Sequence, residues 1–150
     1  MTFQPLRTYA YDDLTIGTRD VLMRTVMETD LVDFAEVSGD VNPIHLSEDY
    51  AASTRFGGRI AHGMFTASLI SAVIGSRMPG PGAVYLSQTL NFLAPVKIGD
   101  VVCAAVEVVE KLEKGRRVRL ACTCTADGRA VLEGEAWVSV PAGRGRAGTA

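Results

Sequence analysis

The chain carries two histidines, and each stands beside residues that could make it reactive. His45 closes the stretch Ser38-Gly39-Asp40-Val41-Asn42-Pro43-Ile44-His45. A carboxylate and an imidazole on one tight segment can share a water, one as base and the other as acid or orienter. The stretch cannot run as a regular helix. Gly39 permits a turn at little steric cost, Asn42 favours turn geometry, and Pro43 pushes Asn42 out of the helical region. Taken alone, these residues equally suit a capping aspartate and a solvent-facing histidine in an ordinary connection.

His62-Gly63 opens the most apolar stretch, which runs to Gly75. A helix beginning there leaves the amides of Gly63 and Met64 as free donors at its positive end. Such an end is an oxyanion hole for a carbonyl oxygen that gains charge. Gly63, without a side chain, lets that carbonyl approach the backbone. His62 also has a plainer reading, as a helix-entry residue bonded locally.

These residues need elements to position them. Arg19 to Glu28 alternates like a strand. Thr29 or Asp30 offers an N-cap for a short helix that stops at Gly39. Ser47 caps a second short helix through Ala52, with Glu48 and Asp49 in its first turn. The helix from His62 to Gly75 is apolar nearly all round, which predicts burial on all sides. After the breaker run Pro79-Gly80-Pro81-Gly82 come four strand-like segments: Tyr85 to Phe92, Val101 to Lys111, Arg117 to Thr125 and Ala130 to Val140. Asp127-Gly128 marks a hairpin between the last two. The order predicts an α+β hot-dog fold, a curved antiparallel sheet of about five strands wrapped around one long buried helix. We expect a single domain over residues 1–141 and a flexible tail over 142–150. An open sheet edge would be covered by a second copy.

Composition narrows the function classes. Apolar residues make up 47% and charged residues 21%, with Lys+Arg 15 against Asp+Glu 17 for a net charge of -2. No bulk attraction to nucleic acid follows. No signal-like core opens the chain, and the stretch Met64 to Ile74 is too short to span a bilayer. A soluble cytoplasmic protein without a membrane partner is expected. Cys103, Cys122 and Cys124 are odd in number, which argues against a disulfide framework, and no second cysteine pair or nearby histidine completes a metal site. They read as small strand residues.

The stretches Ala35 to His45, Tyr50 to Phe56 and Arg59-Ile-Ala-His-Gly-Met64 together resemble the R-specific enoyl-CoA hydratases of the MaoC-like hot-dog group. The similarity runs on through Tyr85 to Phe92, Pro95-Val96 and Gly99-Asp100, so it spans roughly Tyr11 to Pro141. The resemblance implies a homodimer with acyl-CoA sites near the subunit interface. It implies Asp40 and His45 as the catalytic pair and Gly63 as the amide that polarises the thioester carbonyl. Ser71 falls where the family places a supporting serine, and Asn42 matches a loop-shaping asparagine; His62 stands as a further supporting residue. The substrate would meet Met64, and its acyl chain would lie near Ala67 and Ile74. Arg55, Arg59, Lys97 and Arg77 are candidates for the CoA phosphates.

The chemistry implied is hydration of a trans-2-enoyl thioester to an (R)-3-hydroxyacyl thioester, with no metal and no redox cofactor. Asp40 would deprotonate the water, and His45 would orient it and take part in protonating C2. Acyl-CoA thioester hydrolysis and a non-catalytic subunit of a larger complex are the alternatives, because the fold hosts both.

Overall fold

The computed structural model describes residues 6–143. Most of the expected tail therefore lies outside the described residues. Strand β1 (Arg19–Thr25) leads into helices α1 (Glu28–Ser38), α2 (Pro43–Leu46), α3 (Glu48–Ala52) and α4 (Gly63–Ser76). Strands β2 (Val84–Gln88), β3 (Asn91–Phe92), β4 (Val101–Leu112), β5 (Arg117–Ala126) and β6 (Arg129–Ser139) follow. The sheet runs β1-β4-β5-β6-β2, with β3 also on β6, and every pairing is antiparallel. This is the expected hot-dog arrangement, with six strands.

The extra strand comes from a break between Tyr85 and Phe92. Gln88 turns its side-chain amide onto the Thr89 carbonyl (2.8 Å) and the Glu135 carbonyl (3.2 Å). The Thr89 carbonyl in turn lies so close to Gly134 of β6 that any Cβ there would collide with it. Local strand propensity shows neither the Gln88–Glu135 nor the Thr89–Gly134 contact, because those partners lie far apart in the chain.

β5 alternates in and out along most of its length, placing Val118, Leu120, Cys122 and Cys124 against α4 together with Val102, Ala104, Val106 and Val108 of β4. Truncating Ile70 of α4 or Leu120 of β5 to alanine would cost about 2–5 kcal/mol, the usual range for fully buried positions. Burial pushes the thiols up, to about 11 for Cys122 and about 12 for Cys124, so neither is a nucleophile near neutral pH. Asp127 and Gly128 both take positive φ, as a two-residue hairpin turn requires.

Two expectations need correction. First, α4 is not buried on all sides. Phe65, Thr66, Ala67, Leu69, Ile70, Val73 and Ile74 are buried, whereas Met64, Ser68, Ser71 and Gly75 form an open stripe. That stripe is mostly small residues, so hydropathy alone hides which face is covered. Second, Met27 rather than Thr29 or Asp30 caps α1. Asp30 sits one turn in, where its carboxylate accepts the Met27 amide (2.9 Å) and pairs with Arg24 (2.5 Å).

Candidate active site

The segment before His45 is shaped by side chains bonding forward along their own backbone. Gly39 ends α1 in the left-handed region (φ 80°), its amide donated to the Ala35 carbonyl. The Ser38 hydroxyl donates to the Phe34 carbonyl (2.6 Å) and accepts the Asp40 amide (3.1 Å). Asp40 Oδ1 accepts the Asn42 amide (3.2 Å), and Asn42 Oδ1 accepts the Ile44 amide (3.1 Å). Asn42 is thus the N-cap of α2, with Pro43 at its first position. His45 therefore belongs to one helical turn, where the sequence suggests irregular chain.

That turn carries the His45 ring inward, to 8% exposure. Its Nδ1 lies 2.8 Å from the Ile60 carbonyl, which can only accept, so Nδ1 holds the proton and Nε2 presents a lone pair. Burial lowers the imidazole's pKa from its usual value, and the neighbouring His62 acts in the same direction, while the Ile60 carbonyl and Asp40 pull it up. His45 is consequently neutral around pH 7.

His62 binds the two halves of the site together. Its Nε2 donates to the Asp40 backbone carbonyl (3.0 Å), its ring stacks on His45 with centroids 3.7 Å apart, and Phe34 packs against it at 4.9 Å. The remaining Nδ1 is buried without a partner among the described residues.

On the opposite side stands the start of α4, capped by His62. The Phe65 and Thr66 amides both reach the His62 carbonyl, while those of Gly63 and Met64 have no acceptor among the described residues. A Cβ on Gly63 would stand 2.7 Å from the Phe92 ring, so glycine is needed for Phe92 to lie over this end. Asp40, His62, Gly63, Met64 and Phe92 all line one cleft of about 480 Å³, walled further by Thr66, Val96 and Val131. Its free amides and carboxylate, with the neutral His45 imidazole within 4.8 Å of Asp40, suit attack of water on a polarised carbonyl conjugate.

Asp40, Asn42, His45, His62, Gly63 and Met64 are therefore brought together. Ser71 is not: it lies on the open stripe of α4 and makes no hydrogen bond to the pair. Ser68 is the helix serine beside Phe34 and Phe65, and its hydroxyl donates to the Phe65 carbonyl (2.5 Å). Ala67 and Ile74 belong to the core beneath the sheet and do not line the cleft. Of the four basic candidates only Arg55 lines it. Arg59 is buried against Glu28, Arg77 pairs with Asp20, and Lys97 donates to the Phe56 carbonyl. Phe92 is not legible in the sequence as a site residue, and Arg59 reads there as a phosphate partner rather than as a contact of the His45 carbonyl; the Gly63 spacing hints at close packing but not at its partner.

Asp40, His45 and His62 also place one potential metal-ligand atom each within 4.8 Å of one another, a cluster that sequence spacing does not suggest. The two rings stack with their planes 28° apart, so their in-plane lone pairs run side by side instead of converging on one point as metal coordination requires. The arrangement fits a shared water better than a shared ion.

Comparison with known proteins agrees with the fold and the motif. Residues 15–128 match the family described as MaoC like domain. The chain is 58% identical over 136 residues to a 3-hydroxybutyryl-CoA dehydratase of Methylorubrum extorquens, covering 91% of this chain and 87% of that protein. It is 47% identical over 142 residues to an (R)-specific enoyl-CoA hydratase of Rhodospirillum rubrum, covering 95% and 99%. Among solved structures, the R-hydratase PhaJ1 from Pseudomonas aeruginosa superposes with a TM-score of 0.88 at 46% identity, covering 91% of this chain and 88% of that one. By sequence and by fold, the chain belongs to the MaoC-like family.

Proposed function

We propose that this protein reversibly hydrates trans-2-enoyl-CoA to (R)-3-hydroxyacyl-CoA. One observation carries the reading: Asp40 and the Gly63 and Met64 amides, which have no acceptor among the described residues, line a single cleft, and the His45 ring stands within 4.8 Å of the Asp40 carboxylate. The names of its relatives, an (R)-specific enoyl-CoA hydratase and a 3-hydroxybutyryl-CoA dehydratase, support the substrate class and the stereochemistry.

In the proposed reaction the thioester carbonyl accepts from the Gly63 amide, a contact of a kind typically worth about 3–4 kcal/mol in the transition state. The conjugated C3 becomes electrophilic. One water donates one hydrogen to the Asp40 carboxylate and the other to His45 Nε2, which leaves an oxygen lone pair for C3. As the C3–O bond forms, Asp40 takes the water proton and the π electrons move into the enolate. The enolate then collapses, and the proton is returned to C2. Because His45 rests with its proton on Nδ1, Nε2 starts as an acceptor. It can share in C2 protonation only by relaying the proton that Asp40 took, because the water's second hydrogen stays on the new C3 hydroxyl.

We read the working form as a homodimer in the cytoplasm. Strand β2 is a sheet edge with Val84 58% and Leu86 50% exposed, and the open stripe of α4 is a second uncovered surface. No described helix is long and apolar enough to cross a membrane. Crotonyl-CoA tests the reading. Loss of the enoyl chromophore, with the R enantiomer as product and no free thiol, is the expected result. Release of free CoA without hydration would make the protein a thioesterase instead.

A further inference from the structure

Arg59 is buried, its side chain 7% exposed, yet it does not line the cleft. Its Nε donates to the His45 backbone carbonyl at 2.8 Å and its Nη1 to Glu28 at 2.8 Å. Glu28 and Glu48, the two carboxylates near it, are 69% and 66% exposed. Ion pairs to such solvated partners contribute little, and removing the guanidinium would strand neither carboxylate in the interior. Stability alone therefore gives a weak reason for a buried arginine here.

Position gives a stronger one. Arg59 and Ile60 grip α2 by three bonds: Arg59 Nε to the His45 carbonyl, the Ile60 amide to the Ile44 carbonyl (3.3 Å), and His45 Nδ1 to the Ile60 carbonyl. The first two satisfy carbonyls that a one-turn helix leaves without partners. The third fixes the tautomer of the ring. The backbone of His45 and its imidazole are thus held by adjacent residues, and Nη1 ties that grip to the first turn of α1.

We propose that Arg59 is a positioning residue for His45, setting the direction of Nε2 without touching substrate. This rests on the hydratase reading of the site. Lysine cannot replace it fully, since one ammonium on a flexible stem lacks the planar fork that serves His45 and Glu28 together.

The test compares Arg59→Met, Arg59→Lys and His45→Ala in crotonyl-CoA hydration, with the His45 Nδ1–H resonance followed by NMR. Arg59→Met should fold, lower kcat by roughly 10–10²-fold, leave KM within about twofold and shift that resonance. Arg59→Lys should recover part of the rate. A folded Arg59→Met enzyme with native kcat overturns the proposal, as does a rise in KM alone or a lower kcat with an unmoved resonance. If neither Arg59 variant folds, Glu28→Ala decides, because it keeps the His45 contact and removes only the outer anchor. A fall of about threefold in kcat supports the proposal, and an unchanged rate overturns it. His45→Ala separates the two ideas. Retained activity there would sink the hydratase site, whereas an inactive His45→Ala beside a fully active Arg59→Met would sink only the role of Arg59.

Discussion

The two halves of the cleft are built in opposite ways. On the Asp40–His45 side the backbone amides of Gly39, Asp40, Asn42, Ile44 and His45 all find partners close at hand, and the Ile60 carbonyl holds the ring. On the α4 side the useful groups are the amides of Gly63 and Met64, which have no acceptor among the described residues, with the Phe92 ring packed against Gly63. One half works because it is saturated and therefore fixed. The other works because it is unsaturated and therefore available. The proton-transferring groups need angular precision, while an oxyanion donor needs a vacant valence aimed at one point.

The sharpest way to break the saturated half is chemical. Asp40→Asn and His45→Ala should each lower kcat for crotonyl-CoA hydration by ~10²-fold or more, with circular dichroism unchanged. Near-native turnover by either would remove that half from the mechanism. The unsaturated half breaks sterically. Gly63→Ala should cost roughly tenfold in kcat/KM, because the methyl and a displaced Phe92 crowd the carbonyl's approach. Adding Phe92→Ala should return part of the loss if the ring is the obstruction.

The pH response then tests the saturated half through His45. Burial holds the His45 pKa below its ordinary 6.5. Between that lowered value and 6.5 the unfolded chain binds more protons than the native one, so stability is lost as pH falls through this window. Urea unfolding at a series of pH values should show the slope, and His45→Gln should remove its contribution. A smaller effect is expected from Asn42→Ala, which takes away the α2 cap and should lower stability by about 1 kcal/mol. Smallest of all is Ser71→Ala. On the open stripe it should leave activity unchanged and stability within about 0.5 kcal/mol, a direct check that α4's contribution lies at its first turn.

What the sequence revealed was mostly what neighbours in the chain decide. Asn42 before Pro43, Ser47 ahead of two acidic residues and the Asp127-Gly128 hairpin act over a few residues, and each took its expected form. The catalytic-type residues were legible for the same reason, as types at short spacing within a familiar combination. What stayed hidden depends on distant partners. Asp30 looks like a cap until Arg24 and the Met27 amide are placed beside it. Arg59 reads as a candidate for the CoA phosphates until it is found bonded to the His45 carbonyl. The serine stripe of α4 reads as buried because Ser and Gly blend into an apolar run, and the face that a helix shows to its sheet is settled by the sheet.

The strip from Arg59 to His62 has a consequence for the time course of folding. Its Ile60 carbonyl holds His45, its Ala61 amide reaches the Val96 carbonyl (2.7 Å), and its Ile60 bridges to Lys97. The cleft is therefore closed by pairings between segments that lie far apart in the chain, which a folding polypeptide makes slowly. After dilution from denaturant, helical signal should return first and hydratase turnover last. Recovered activity would then serve as a clock for docking of the Val96 segment, marking the moment when the strip acquires both its neighbours.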